Sequence, residues 1–439
     1  MAKNNINFTR EIPIKYDVDV LVAGGGPAGV TAAIAAARSG MRVFVAEGQG
    51  FFGGAATAAL VPAFMPFGNG KDFLAGGLGR EIYDECIKQG FYINNNTIGI
   101  HPEKYKRIMD KFVRAERNIA FSFFTNMISV EAESSRVKHC VFAAKSGIFA
   151  IKAKIFIDAT GDGDLCAWAG APFEMGDEEG NVMPSTLCQL WTDIDWSAVK
   201  GSDSRMVEEA IADGVFTQED RHHSGMWRTG ERIGGGNVGH SFNINSTDET
   251  SLTAGMLVGR DIVPEYENYY RNYLGGGYRN TQVALTGSYL GVRESRRIMG
   301  DYVMNVGDFN ARARFDDEIG CFSYPVDIHI AKPTKEAFEA FHSEHTTMRY
   351  ADGEFYGIPY RIMLPMGLDN VYITGRSVST DRQMQSSIRV MPACFLTGQA
   401  AGFAAALAIE GGDCDIRRVD IGALRKKLKA TGLYLPERC

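Results

Sequence analysis

The chain has 439 residues, 45% hydrophobic and 23% charged, with 46 Lys+Arg against 53 Asp+Glu for a net charge of −7. That length predicts a large core and more than one structural unit, and a mildly acidic chain without a basic run lacks the electrostatic footprint for nucleic acid or an anionic membrane. Eight cysteines stand singly with no C-x-x-C pair, which argues against a cysteine-held cluster, a structural zinc or any other metal site and suits a reducing compartment.

The opening "MAKNNINFTREIPIKYD" is polar and has no apolar h-region, so a cytoplasmic protein without signal peptide or membrane span is expected. Residues 17–23, "DVDVLVA", form a β-branched apolar run of strand length. "GGGPAG" follows, with Gly24, Gly26 and Gly29 at G-x-G-x-x-G spacing, then an Ala-rich helix that stops at Gly40. A second strand, "MRVFVAE", ends in Glu47. Gly24 and Gly26 allow a tight turn and close approach to a pyrophosphate, Gly29 lets helix pack on strand, and Glu47 suits the ribose hydroxyls of a dinucleotide.

Residues 48–62, "GQGFFGGAATAALVP", form a long small-residue loop, where a nicotinamide dehydrogenase would go straight into a helix. Between Met127 and Ile157 three alternating segments with turn signals between them predict an antiparallel meander. The last strand runs into "DATGDGD", residues 158–164, where a strand end again meets glycines and a helix.

From about residue 174 to 352 the small-residue rhythm gives way to aromatics and charges, which predicts a substrate domain inserted between a first part of the nucleotide-binding domain (1–173) and its C-terminal part (353–439). "IGGGNVGHSF" holds a second G-x-G-x-x-G (Gly234, Gly236, Gly239), but no strand precedes it and no helix follows. It reads as a glycine-rich turn, and one dinucleotide is the expected count. His222 and His223 read as a loop without a third ligand. The stretch from Ser246 predicts a long helix with a Ser/Thr/Asp cap. "YLGVRESRRIMGDYVM" predicts a helix with Arg293, Arg296 and Arg297 on one face, partnered by Glu294 and Asp301 on a solvated surface or aimed at a substrate oxyanion. His329 sits at a strand position in "YPVDIHIAK". Near the C-terminus, "DNVYITGR" reads as a strand, and "SIRVMPACFLTGQAAGFAAALAIEGG" as a small-residue helix that would approach a flat cofactor.

These pieces together resemble the glutathione-reductase-type FAD flavoproteins. Within them the chain resembles the broad FAD-dependent oxidoreductase family, relatives of the fumarate reductase and succinate dehydrogenase flavoproteins. The matching stretches include "GGGPAG", "FFGGAATAALVP", "IDATGDGDLCAWAGAP", "LGVRESRRIMGDY", "YGIPYRIMLP" and the C-terminal helix, and they span residue 17 to about 410. The resemblance implies an α/β fold: an FAD-binding parallel sheet with a β-meander, a Rossmann variant, plus an inserted mixed α+β substrate domain. It also implies non-covalent, extended FAD. Gly24, Gly26, Pro27, Ala28 and Gly29 would hold the pyrophosphate, Glu47 the ribose, and Gly53, Gly54, Ala55 and Thr57 the flavin side. Ile128 would meet adenine, Ala159, Thr160, Gly161 and Asp164 the adenosine half, Gly375 and Arg376 the ribityl chain. Gly398, Gln399, Ala400, Ala401 and Gly402 would cap the pyrimidine ring. Gln385 departs from the small apolar residue common in the family.

The expected reaction is hydride transfer between a small-molecule substrate, a carboxylate or hydroxyl compound, and flavin N5. Arg389 or the Arg293/Arg296 face would steady an oxyanion, and Tyr360, His329 or Arg361 would move the proton. The electron acceptor and oligomeric state stay open, a homo-oligomer among the options. Rival readings are a redox-neutral enzyme using FAD structurally, a non-catalytic binding protein, and an RNA-modifying flavoprotein, which the acidic balance disfavours.

Overall fold

The computed structural model describes residue 6 and residues 9–94, 96–345 and 348–437, without the side chains of 342, 344 and 345. Strand β1 (Ile14–Ala23) leads into helix α1 (Pro27–Arg38) and strand β2 (Val43–Ala46). Helices α2 (Leu78–Lys88) and α3 (Pro102–Ala115) precede strand β3 (Ile119–Ser122). The meander follows as β4 (Asn126–Glu133), β5 (Arg136–Ala144) and β6 (Gly147–Asp158), and the short helix α4 (Asp164–Trp168) closes this part.

β7 (Gln189–Thr192), β8 (Gly225–Arg228) and β9 (Gly234–Asn237) come next, then helix α5 (Glu249–Asn268) and strand β10 (Gln282–Thr286). Strand β11 (Val371–Ile373) and helices α6 (Arg382–Ile388) and α7 (Met391–Glu410) lie near the C-terminus.

The main sheet runs β3-β2-β1-β6-β5-β4, with β11 pairing β6 as well. The pairs β3–β2, β2–β1, β1–β6 and β6–β11 are parallel, while β6–β5 and β5–β4 are antiparallel. β6 is thus shared: its first half completes the meander and its second half joins the parallel sheet. The fold is a mixed α/β one with a parallel-rich, Rossmann-like sheet.

The pleat sends alternate residues to opposite faces. Val20, Val22, Ile155 and Ile157 join α1 and α7 in the main core, while Leu21, Phe44 and Phe156 pack with Phe142 and Phe149 of the meander. Among the described residues α7 is the one helix long and apolar enough to cross a membrane, and it is buried inside the core.

Two sequence expectations need correction here. The second glycine motif is no turn: Gly234 and Gly236 lie in β9, inside an antiparallel sheet of order β8-β9-β7-β10. A Cβ at Gly236 would stand 2.5 Å from Trp191 Nε1, so the glycines make room for the Trp191 indole across the strand. Only Gly239 turns the chain, at φ +78°. The second correction is that residues 291–298 are not helical; they end in a two-residue strand paired with Phe173–Glu174. Arg293, Arg296 and Arg297 therefore share no helix face, and Arg293 and Arg297 are buried rather than solvated. Glu294 does pair with Arg297, at 2.7 Å, whereas Asp301 pairs with Arg417. Gly398 and Gly402 fall in the middle of α7, one of the two placements the sequence allows.

Candidate active site

A trough runs along the ends of β1, β2 and β6. Gly24 bends at φ +102°, and a Cβ there would sit 2.4 Å from the Ala159 carbonyl oxygen. The turns after β1 and β6 therefore touch only because residue 24 has no side chain. Gly26 faces Gly54 across the trough, and Gly53 N–H bonds the Gly25 carbonyl at 2.9 Å, tying the small-residue loop to the turn. Thr57 locks that loop by donating to Phe52 O at 2.9 Å. α1 starts at Pro27 with Gly26 as N-cap and no side-chain cap, so its first N–H groups and dipole face the trough.

Glu47 is buried at the rim, accepting 2.7 Å bonds from Gly25 N–H and Gln49 N–H. Burial pushes its pKa up against those bonds. Each carboxylate oxygen keeps a second lone pair for another donor. Ile128 lies at a bulge in β4, its side chain 46% exposed. Thr160 Oγ1 donates to the buried Asp158 carboxylate at 2.7 Å, fixing the second turn, and Gly161 abuts the Arg376 guanidinium. Arg376 bridges Asp162 Oδ1 at 2.7 Å and Val292 O at 3.0 Å. Arg296 belongs to this trough too, at 2.7 Å from Asp164. Burial, then the charges of Asp162 and Asp158, raise the Asp164 carboxyl to about 6.

Gly398–Gly402 do not line the trough. A Cβ on Gly398 would meet Ala28 O at 2.2 Å and one on Gly402 would meet Ala32 O at 2.2 Å, so these residues set the α1–α7 contact. Gln399 bonds Leu78 N–H and Gly76 O, and Ala400 and Ala401 are fully buried. What α7 offers is its start, where Val390 supplies no side-chain cap and Cys394 packs near Gly375.

Beyond Arg376 the trough continues into a buried polar chamber. Gln385, the sequence departure, is the bridge: its Nε2 donates to Arg293 O at 3.0 Å and Arg376 O at 3.4 Å. Arg293 is 6% exposed. Its described partners are all neutral: Pro184 O at 2.9 Å, Thr186 Oγ1 at 2.8 Å and Asn237 Oδ1 at 2.9 Å. Burial, then the neighbouring Arg389 charge, bring it down to about 10, still protonated at neutral pH.

Arg389 pairs with Asp327 at 3.0 Å and leaves its buried Nε without a partner among the described residues. Burial raises the Asp327 carboxyl, and the contacts to His329 and Arg389 more than reverse this, holding it well below the usual carboxylate range. His329 stacks on His222, ring centroids 4.1 Å apart. Burial and nearby positive charge lower both imidazoles, His222 to about 4. A third imidazole, His240, meets both rings edge-on and bonds Asp220 through Nδ1 at 2.6 Å. A cleft of about 430 Å³ lies beside His222 and Asp327 and is also lined by Val207, Phe341 and Arg349 among others.

Of the sequence candidates, Arg293, Arg389 and His329 are brought together, and Tyr360 and Arg361 lie elsewhere. Tyr360 is buried elsewhere, its hydroxyl 2.6 Å from Tyr372 Oη and 2.7 Å from Ile416 O. Arg361 is 45% exposed and pairs with Asp317 at 2.9 Å. Asp220, Asp327 and His240 escaped sequence reasoning, and His222 was read only as a loop residue, which it is. A usable signal existed in the β8–β9 hairpin: its register pairs Gly225 with Asn237, and continued three residues outward it sets His222 opposite His240.

No curated protein matches the sequence. Among solved structures the chain is similar to a geranylgeranyl bacteriochlorophyll reductase-like protein from Thermoplasma acidophilum (13% identity, 94% of this chain and 84% of that one, TM-score 0.48). Others are p-nitrophenol 4-monooxygenase PnpA from Pseudomonas putida DLL-E4 (12%, 95% and 89%, TM-score 0.45) and the myxobacterial chondrochloren halogenase CndH (14%, 94% and 78%, TM-score 0.44). The sequence model of the FAD dependent oxidoreductase family matches residues 19–428. From β1 nearly to the C-terminus, then, this chain belongs to the FAD-dependent oxidoreductases, an enzyme whose cofactor is FAD.

Proposed function

We propose that the enzyme oxidises or reduces an anionic small molecule, a hydroxy acid or its oxo counterpart, held in the Arg293–Arg389 chamber beside the flavin end of the trough. The observation that carries this reading is Arg293, a buried cation surrounded by neutral acceptors. Burying an unpaired charge costs several kcal/mol. A carboxylate ligand would supply the missing counter-charge through charge-assisted, bidentate hydrogen bonds.

The trough fits FAD. A Cβ at Gly24 would fill the turn, the uncapped α1 start presents donors to a pyrophosphate, and Glu47 keeps acceptor capacity for the ribose. Gly24, Gly26, Pro27, Ala28 and Gly29 would hold the diphosphate without a covalent link. Gly53–Thr57, Ala159–Gly161, Asp164, Gly375 and Arg376 would line the rest. The start of α7 replaces Gly398–Gly402 as the helix element nearest the flavin end. Bound FAD supplies the two-electron chemistry. The chain's own residues do the remainder: Arg293 and Arg389 orient the anion, Gln385 fixes Arg293 against Arg376, and burial of the cluster keeps water out. This reading keeps the glutathione-reductase-type relationship and the inserted substrate unit of residues 174–352 as part of the proposal.

The test is anaerobic bleaching of the yellow holoenzyme by lactate, glycolate, malate and gluconate, with methyl lactate as the uncharged control. At least one acid should bleach the 450-nm band, with the ester slower by about 100-fold, the worth of a buried charged hydrogen bond. Arg293→Met should erase that preference while FAD content holds. Equal rates for acid and ester, or an unaltered R293M enzyme, would refute it.

A further inference from the structure

We propose that Asp220 and His240 form the proton-transfer pair of this chamber. His240 Nε2 takes the proton released when the substrate hydroxyl is oxidised, and returns it in the opposite direction. The proposal rests on the oxidoreductase reading above and extends it to the second proton-coupled half of the reaction.

Both side chains are buried, His240 at 1% and Asp220 at 3% exposure, with Nδ1 and Oδ2 2.6 Å apart. An ionised carboxylate only accepts, so the shared hydrogen sits on Nδ1 and the imidazole presents Nε2 as a base. Burial raises the Asp220 carboxyl, but His240 and the His222 N–H, which donates to Oδ1 at 3.0 Å, together hold it below its ordinary value. Nε2 is buried and has no hydrogen-bond partner among the described residues. A lone buried ring nitrogen, turned away from its carboxylate, costs stability unless something occupies that space.

The other two imidazoles do not serve. His222 and His329 are stacked on each other, and burial with nearby positive charge lowers both imidazoles, which makes them poor proton acceptors. His329 Nε2 stands 3.7 Å from Asp327, beyond hydrogen-bond reach, and Asp327 is already engaged by Arg389. Of the three, His240 alone has a carboxylate at hydrogen-bond distance to stabilise an imidazolium. Its chain position also matters. Asn237, three residues earlier, accepts from Arg293, so the anion-holding guanidinium and the base are set by one short segment of β9 and its Gly239 turn.

Bound FAD would supply the two-electron acceptance, taking up the substrate C–H hydrogen with its bonding pair, and the chain's own residues handle the proton. The hydroxyl O–H bond breaks, its electron pair becomes the second C–O bond, and the proton bonds to Nε2. Asp220 stays a carboxylate beside the new imidazolium and is a positioning residue, as in the hydrogen-bonded Asp–His arrangement of serine hydrolases. The titratable groups set against the imidazole are Asp220 and the His222 and His329 rings.

The experiment uses holoenzyme labelled with 15N in the histidine rings, the His240 resonance assigned from the His240→Asn protein. Asparagine keeps the donor to Asp220 and removes only Nε2. The expected spectrum has the His240 proton on Nδ1 with a bare Nε2, and Asp220→Asn shifts it toward the other tautomer. In anaerobic bleaching with the fastest acid of the panel, H240N should be slower by about 100-fold or more at saturation, with half-saturation and FAD content little changed. A His240 Nε2 protonated throughout the neutral range, or H240N bleaching at the wild-type rate, overturns the assignment. Should H240N not retain FAD, D220N carries the rate arm, since it leaves the imidazole in place with its tautomer unset. If no acid bleaches the wild-type enzyme, the oxidoreductase reading of the chamber fails, while the nitrogen spectrum still decides the Asp220–His240 pair by itself.

Discussion

Two arginines that looked alike in the sequence separate once their surroundings are compared. Arg389 is 12% exposed, bonds Asp327 and faces Arg293, whereas Arg361 is 45% exposed and meets Asp317 at the surface. Arg389→Ala should leave the partly buried Asp327 uncompensated, cost on the order of 1–3 kcal/mol, and slow flavin bleaching by at least about 10-fold with FAD retained. Arg361→Ala should cost under about 1 kcal/mol and leave bleaching unchanged, as for any exposed pair. Thermal melts and anaerobic bleaching on both variants check this, and similar behaviour of the two would be fatal to the distinction. The sequence could not separate them. Position beside "GIPYR" or "SSIR" says nothing about where a side chain turns, and Tyr360 shows the same limit by bonding Tyr372 instead of the chamber. His240 was missed for the converse reason, since its partner Asp220 lies twenty residues away and only the hairpin joins them.

Elements were more legible than residues, where one periodicity ruled. β1, α1 and β2 follow from apolar and Ala-rich runs bounded by glycines, and the last six residues of β1, most of α1 and all of β2 are buried. The meander strands follow from alternating segments with turn signals between them. The Asp248 cap of α5 was legible in the same way. Residues 291–298 were not: arginines at helical spacing carry no apolar periodicity, so tertiary pairing with residues 173–174 decided their shape. The "GQAAG" stretch was ambiguous by nature, since small residues suit a flat ligand and a close helix equally. The backbone of α1 resolves it, and a substitution can test that. Gly402→Ala would drive a Cβ to 2.2 Å from Ala32 O, so α1 and α7 must separate. The expected loss is about 1–3 kcal/mol, despite roughly 1 kcal/mol of helix propensity gained. FAD should also be retained less well, since α1 begins at the trough. Gly79→Ala in α2, whose nearest neighbour would be 3.5 Å away, should be neutral or slightly stabilising. Equal melting temperatures for G402A and wild type would return Gly402 to the cofactor.

Across the whole molecule, the distant turns after β1 and β6 meet in one trough, and the single turn after β6 crowds Asp158, Asp162 and Asp164 into it. Burial and the two neighbouring carboxylates raise Asp164 to about 6, and Arg296 offsets only part of that. In the unfolded chain the same group titrates near 3.9. Between those values the folded state binds more protons than the unfolded one, so unfolding free energy falls as pH rises from about 4 to 6. The cost is absent below the unfolded pKa and fully developed above the folded one. A shift of about two units corresponds to at most about 3 kcal/mol, less here because the carboxylate is 30% exposed. Asp164→Asn removes the titration while preserving a hydrogen-bond acceptor for Arg296. Urea unfolding of the FAD-free chain should therefore show the variant gaining on wild type by about 1–2 kcal/mol between pH 4 and pH 7. A difference that stays level with pH, or that runs the other way, would mean Arg296 neutralises Asp164 completely. The convergence of the turns would then carry no electrostatic penalty, and the trough would be as stable empty as any other surface groove.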